Sequence, residues 1–269
     1  MPPIKKIIQK ALSPAFVAKE VRRFQAKRRH FPNRMLVGTH HKTGTVWFTN
    51  VFTAIAEHFG LRYQGKTHED PKPHGLWDIF HNKHSQFDLP QGIDFRGVHV
   101  IRDPRDLIVS ATFYHQRATD AWLHQPQDEF DGMTYMEKIN SLESFDDQLL
   151  FEMQRMSVFD IGQMRDFDYD DDRFMTVKYE DMICDYDMRR FEEIFRFMGI
   201  SEQAMGWCLT LALRNCLFSG SVKSTHVRSG KGKQWVEHFK PQHKEKFDEL
   251  FPGILDRLGY EPGDSWNER

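Results

Sequence analysis

The chain has 269 residues, 39% of them hydrophobic and 28% charged, with a formal net charge of −2 at pH 7. These proportions are ordinary for a water-soluble protein with one sizeable core. No run approaches the roughly 18 apolar residues of a membrane-spanning helix, and the charges scattered through the N-terminus are not those of a secretory leader. Three cysteines, Cys184, Cys208 and Cys216, lack metal or redox spacing and suit a reducing compartment, so the cytoplasm is the expected location.

The near-neutral total hides an asymmetry. Residues 1–34 carry ten Lys/Arg against the single acid Glu20, a net +9, which leaves −11 on the remainder. Apolar Ile4, Ile7, Ile8 and Leu12, then Phe16, Val17, Val21 and Phe24, predict two short amphipathic helices interrupted at Pro14. We read residues 1–30 as a basic arm and 31–269 as one domain. Such an arm either packs on the domain or meets an anionic membrane surface or an acidic partner.

Residues 35–37 are a short apolar run with the character of a buried strand, followed by a loop at 38–44 rich in Gly and Thr. From Thr45 the spacing turns helical, with Val46, Phe48, Val51, Phe52, Ile55, Ala56 and Phe59 apolar and Gly60 as the stop. Further strands are expected at 61–64, 78–83 and 96–101, the last entering Arg102-Asp103-Pro104 and a helix over 106–115. The order β-α-β-β-β-α begins a parallel α/β sheet, whose ligands lie at the C-terminal ends of the strands. Residues 119–140 show little periodicity but contain Trp122, Phe130 and Tyr135, and 112–143 are expected to shape a substrate pocket. Ser144 should cap a helix running to about 163, and the acidic stretch 166–172 reads as a solvated turn. A strand at 174–178, a helix over 187–199 with Asp187 as its cap, another capped by Ser201 and one from Pro241 complete the reading.

Strand, glycine-bearing loop and helix in succession make an anion site, because the first helical amides lack intrahelical acceptors and the dipole is positive there. The order Lys42-Thr43-Gly44-Thr45 is not that of a nucleotide-triphosphate loop, in which lysine follows the second glycine and a hydroxyl behind it holds Mg²⁺. Here the ammonium approaches from the near side of the loop, where a leaving group would lie. Arg102 leaves a strand and Ser110 lies eight residues later on a helix, so the two could converge on one phosphate. Arg228, Ser229, Gly230, Lys231 and Gly232 form a third basic, glycine-bearing stretch.

Together, His41-Lys42-Thr43-Gly44-Thr45-Val46-Trp47, Arg102 with Ser110, and Arg228 to Trp235 resemble, in the same order, the three nucleotide motifs of PAPS-dependent sulfotransferases. The chain departs from them at His41 for Pro, Thr43 for Ser, Val46 for a hydroxyl residue and Ser229 for Lys. The resemblance implies a single α/β domain with a central parallel sheet flanked by helices, of P-loop-NTPase-like architecture. It also implies the donor 3′-phosphoadenosine 5′-phosphosulfate (PAPS) and the product adenosine 3′,5′-bisphosphate (PAP). Lys42, Thr43, Gly44, Thr45 and Val46 would hold the 5′-phosphosulfate, and Arg102, Ser110, Arg228, Ser229 and Gly230 the 3′-phosphate. Trp47, Tyr179 in Lys178-Tyr179-Glu180-Asp181-Met182, and Phe218 would contact the adenine.

The implied chemistry is in-line attack of an acceptor hydroxyl or amine on sulfur, with Lys42 stabilising the leaving phosphate oxygen and a histidine taking the proton. With no γ-phosphate to hold, the reaction requires no metal, and the histidines of the 81–85 stretch lack cysteine or carboxylate partners at metal spacing. The family's base stands in Lys-Thr-His at a strand end, and Lys83-His84 is the nearest match. His81 would face the opposite side of that strand, and His68 in Lys66-Thr67-His68 follows a different strand. The acceptor is a small molecule, lipid or carbohydrate, and no nucleic-acid partner is expected. The alternatives are a nucleotide-dependent kinase of related fold and a non-catalytic peripheral membrane scaffold.

Overall fold

Five strands, β1 (Arg34–Gly38), β2 (Tyr63–Lys66), β3 (Ile79–Asn82), β4 (Phe95–Ile101) and β5 (Phe174–Lys178), form one sheet in the computed structural model. It describes residues 13–66, 69–72, 74–86, 92–216, 218 and 232–261. All pairings are parallel and the strand order is β2-β3-β1-β4-β5. β1 lies between β3 and β4, with Met35 opposite Ile79 and Arg96. Parallel strands are covered on both faces, which is why β1 is buried from Met35 onward and β4 at every position but Arg96. The chain leaves β1 toward one edge and returns to β4 on its other side, and ligands bind outside the strand ends at such a reversal.

The helices are α1 (Pro14–His30), α2 (Thr45–Phe59), α3 (Pro104–His115), α4 (Tyr135–Asn140), α5 (Phe145–Gln154) and α6 (Met156–Asp166), then α7 (Tyr179–Ile183), α8 (Arg189–Phe197), α9 (Glu202–Asn215), α10 (Trp235–His238), α11 (Pro241–Leu250) and α12 (Ile254–Arg257). On α2 the stripe Phe48, Val51, Phe52 and Ile55 is fully buried, in one cluster with Phe191 and Phe195 of α8 and Cys208 and Ala212 of α9. Each such large side chain contributes about 1.5–3 kcal/mol. A second cluster joins Leu107 and Ile108 of α3, Leu149 and Met153 of α5 and Phe247 of α11.

Several elements differ from expectation for local reasons. β2 starts two residues late, because the Arg62 carbonyl accepts bonds from the Asp78 and Ile79 amides and the Arg62 amide donates to the Asp78 carboxylate. The helix capped by Ser144 stops at Gln154, where Arg155 leaves helical geometry (φ −110°, ψ −85°), and α6 continues beyond it. α8 is capped by two carboxylates: Asp187, as expected, accepts from the Arg189 amide at 3.4 Å, and Asp185 accepts from the Arg190 and Phe191 amides. Ser201 precedes α9 but binds His30 Nδ1 with its hydroxyl, at 2.8 Å, instead of capping. The acidic 166–172 turn is not simply solvated, since Phe167 is buried with its ring stacked 3.6 Å from that of His99.

Of the basic arm, α1 is described from its Ser13 cap onward, and the expected helix over 4–12 lies outside the described residues. α1 buries none of its residues and is held by ion pairs along its length and by the His30 to Ser201 bond at its end. Asp78, itself buried, accepts from Arg23 (3.1 Å) and Lys27 (3.2 Å), and Glu20 accepts from Arg62 (2.6 Å). Burial alone would raise the Asp78 carboxyl, but the Arg62 amide and the Lys27 and Arg23 cations outweigh it and hold it below the usual carboxylate range. Among the described residues no helix is long and apolar enough to cross a membrane.

Candidate active site

The loop after β1 folds on the carbonyl of His40. That oxygen accepts from the Thr43 hydroxyl (3.0 Å), the Thr45 hydroxyl (2.8 Å) and the Thr43 amide (3.2 Å), while the His40 amide donates to Thr43 Oγ1 (2.8 Å). Closing so small a turn puts Lys42 at φ 64° and Gly44 at φ 103°, values that favour glycine at the second position. Gly44 is also the N-cap of α2 and offers no side-chain cap, so the first amides of α2 remain available to an anion. Thr43 directs its hydroxyl inward and is fully buried, and Val46 stands exposed on the first turn.

The second motif meets the first directly. Arg102, 5% exposed at the end of β4, donates from Nη1 to the Lys42 carbonyl at 2.9 Å, and its guanidinium lies 4.6 Å from the Tyr179 ring. Its Nε is buried and, among the described residues, without a hydrogen-bond partner. Tyr179 also underlies Gly44, where an added Cβ would come 3.4 Å from its ring. Trp47, buried, packs edge-on against Tyr179, Phe48 and Phe191. Ser110 is half-buried on α3, and no hydrogen bond joins it to Arg102. Phe218 rests on Tyr186, ring centres 5.0 Å apart, at the edge of the core cluster holding Trp47 and Tyr179.

Arg228, Ser229, Gly230 and Lys231 lie outside the described residues, as does His68. The described end of that stretch is tied beside Arg102. The Trp235 amide donates to Asp106 (3.0 Å), Arg105 lies over the Trp235 ring at 3.9 Å, and an added Cβ at Gly232 would meet Glu180 at 3.4 Å. Glu180 in turn accepts from the Asp103 amide (2.9 Å) and Tyr260 (2.8 Å). Burial raises the Asp106 and Glu180 carboxyls, and Arg102 pulls both down.

The histidines separate by environment. His81 is buried between β3 and α2, bonded to Thr39 (2.9 Å) and the Tyr63 hydroxyl (2.9 Å). His40 and His99 are also buried and share a bond between their Nε2 atoms at 2.8 Å. Burial lowers His40 and His81 to about 3 and His99 well below its ordinary value. His84 is different: its side chain is 24% exposed and faces Asp160 of α6 at 3.9 Å. It is held in place through Ser85, whose hydroxyl donates to the Thr39 carbonyl (2.9 Å). That close approach requires Gly38, since a Cβ there would lie 2.7 Å from Ser85 Oγ.

Sequence reasoning missed four neighbours. His41 Nδ1 lies 3.5 Å from Asp160, and its ring stacks on His115 at 5.0 Å. His115 is paired at 2.7 Å with Glu152, both fully buried. A signal was present: 149, 152, 153, 156, 157, 160, 161 and 164 form one helical stripe, apolar except at Glu152, Ser157 and Asp160. Phe130 and Tyr135 are not pocket walls, contrary to expectation. With Leu123 and Ile139 they form a small buried core, against which Trp122 packs.

A parallel α/β sheet thus carries Lys42, the buried Arg102 and the partly exposed His84 just beyond the ends of β1, β4 and β3. The sequence model of the sulfotransferase domain matches residues 80–259, more than half of the chain, and the protein belongs to that family. Among solved structures it is similar to mouse sulfotransferase SULT7A1 complexed with PAP, with 15% identity, a TM-score of 0.50, and 82% of this chain and 84% of that chain covered. That likeness is one of fold. No curated protein matches significantly. The family match replaces the kinase and scaffold readings with a sulfuryl-transfer enzyme.

The buried histidines predict acid lability. His40, His81 and His99 protonate near 6.5 when unfolded but only far lower when folded, so their stability contribution is complete above pH 6.5 and falls as the pH drops toward 3. Between pH 7.5 and 5.5 His40 and His81 should each cost about 1.4 kcal/mol in urea unfolding, with His99 acting in the same direction. His81→Asn should flatten the profile by about one such share, and an unchanged profile would contradict this assignment.

Proposed function

We propose that this enzyme transfers the sulfuryl group of PAPS to a hydroxyl or amine of a small-molecule, lipid or carbohydrate acceptor. The observation that carries the reading is the Arg102 to Lys42 bond, which sets two cations of separate motifs at one strand end, beside the open amides of α2. The mouse structure's bound PAP supports the donor class. So does the buried Arg102 Nε, a donor available for an anion. Lys42 and residues 43–46 would bind the 5′-phosphosulfate, Arg102, Ser110 and residues 228–230 the 3′-phosphate, and Trp47, Tyr179 and Phe218 the adenine side.

In this mechanism the acceptor oxygen forms a bond to sulfur as the bond from sulfur to the 5′-phosphate oxygen breaks. The electron pair leaves on that phosphate oxygen, where Lys42 and the α2 amides stabilise it. His84 takes the acceptor proton. Lys42 Nζ lies 3.9 Å over the Tyr114 ring, an aromatic face that holds a cation without neutralising it. Lys42→Ala should lower transfer from labelled PAPS by roughly 10²–10³ while leaving PAP binding within a few-fold. Turnover near that of the wild type would remove Lys42 from its role.

The arm supports a second, compatible reading, contact with an anionic membrane surface. α1 exposes Phe16 (39%), Val17 (46%), Val21 (49%) and Phe24 (63%). Val17, Val21, Phe24 and Arg28 share one helical face, and exposed Arg22 and Arg29 stand further round the helix on one side of it. The protein should sediment with phosphatidylserine-containing vesicles at low salt and be released near 0.15 M, where screening acts within about 8 Å. Val21→Glu with Phe24→Glu should abolish this. Equal sedimentation of both proteins would leave α1 as a solvent-exposed strut.

A further inference from the structure

Asp160 is 4% exposed on α6, yet it occupies a place in an apolar stripe where a leucine would serve packing better. A buried carboxylate is costly unless partnered. Its partners here come from two loops of the active site. Oδ2 faces His41 Nδ1 at 3.5 Å, in the loop that carries Lys42, and Oδ1 faces His84 Nδ1 at 3.9 Å, in the loop after β3. His41 is itself backed by His115, which Glu152 fixes at 2.7 Å with help from Tyr135 (2.9 Å) and Ser157 (3.2 Å). The charged and titratable groups around Asp160 are therefore His84, His41, Glu152 and His115, with Lys42 acting on His41.

We infer that Asp160 is a positioning residue: it receives the Nδ1 proton side of His84, leaves Nε2 as the nitrogen that takes the acceptor proton, and ties that base to the anion loop through His41. This deepens the proposed function and rests on His84 being the base there. The hydrogen bond made by one ring nitrogen decides which tautomer a histidine adopts. The 3.9 Å separation is an ion-pair distance, and an approach of roughly 1 Å brings it to hydrogen-bond length. When His84 Nε2 takes the acceptor proton, the resulting imidazolium faces the Asp160 carboxyl, and its positive charge favours the ionised form of that carboxyl. Burial holds the Asp160 carboxyl up at about 7, and His84 and His115 pull it down, so the carboxylate gains most when His84 is charged. Sharing the other oxygen with His41 couples the geometry of the base to that of the lysine loop, so both ends of the reacting sulfuryl group are aligned by one residue.

The test is ring nitrogen NMR on the full chain with adenosine 3′,5′-bisphosphate added, His84 being assigned from a His84→Gln variant. In the wild type His84 should hold its neutral proton on Nδ1. Asp160→Asn, nearly isosteric and uncharged, should lose that preference and lower the His84 titration midpoint by roughly one pH unit, the scale expected of an opposite charge within about 4–6 Å. A residue that merely fills the core would change melting temperature without moving either quantity. A wild-type His84 carrying its neutral proton on Nε2 overturns the inference even if Asp160→Asn fails to fold. So does an unchanged midpoint and tautomer in Asp160→Asn. Transfer from labelled PAPS by His84→Gln at the wild-type rate would sink the base assignment instead, while the tautomer measurement would still decide whether Asp160 orients the ring.

Discussion

The bond from Arg102 to the carbonyl of Lys42 is the contact on which the site depends. That carbonyl belongs to Lys42, which adopts the left-handed region just before the inward-turned Thr43 and Gly44. The guanidinium reaches it because Arg102 stands at the end of β4, next to β1 in the sheet. Sheet register thus converts two motifs sixty residues apart into one cationic corner. Tyr179 completes it from β5's end by lying under both Gly44 and Arg102.

Around that corner the protein buries an unusual amount of polar chemistry. His40, His81, His99, His115, Glu152 and Asp160 all lie below the surface, and each has a named neighbour. The neutral histidines bond to hydroxyls or to one another, and the carboxylates face imidazoles. Buried groups of this kind are tolerated when partnered and destabilising when a partner is removed. The same logic fixes the arm, where Asp78 gathers Arg23, Lys27 and the Arg62 amide at one point.

Much of this was legible in the chain. The switch from the apolar 35–37 run to the helical stripe beginning at Thr45 locates the loop between β1 and α2, and Pro104 after a β run marks where Arg102 leaves its strand. The choice of His84 over His81 rests on the Lys83-His84 resemblance, and strand alternation does not reach it, because β3 ends at Asn82 and His84 stands in the turn beyond. The rest depended on contacts that local patterns do not encode. The break at Arg155 interrupts a stripe that is otherwise continuous, so the phase of Asp160 toward the site could not be read from spacing. The stack of Phe167 on His99 joins residues 68 positions apart and removes an apparently solvated turn from solvent. His41 looked like a departure from a motif, and its significance emerges only beside His115 and Asp160.

The central claim is that this corner binds a nucleotide bearing a 3′-phosphate, which AMP, ADP and ATP lack. Its most direct measurement is thermal unfolding with adenosine 3′,5′-bisphosphate in the absence of Mg²⁺. At a hundred times the dissociation constant, stabilisation should reach about 2.7 kcal/mol, a rise of roughly 5–10 °C for a domain of this size. ADP at equal concentration should give much less, and Arg228→Ala should narrow the difference. Greater protection by ATP with Mg²⁺ than by the bisphosphate would contradict the account.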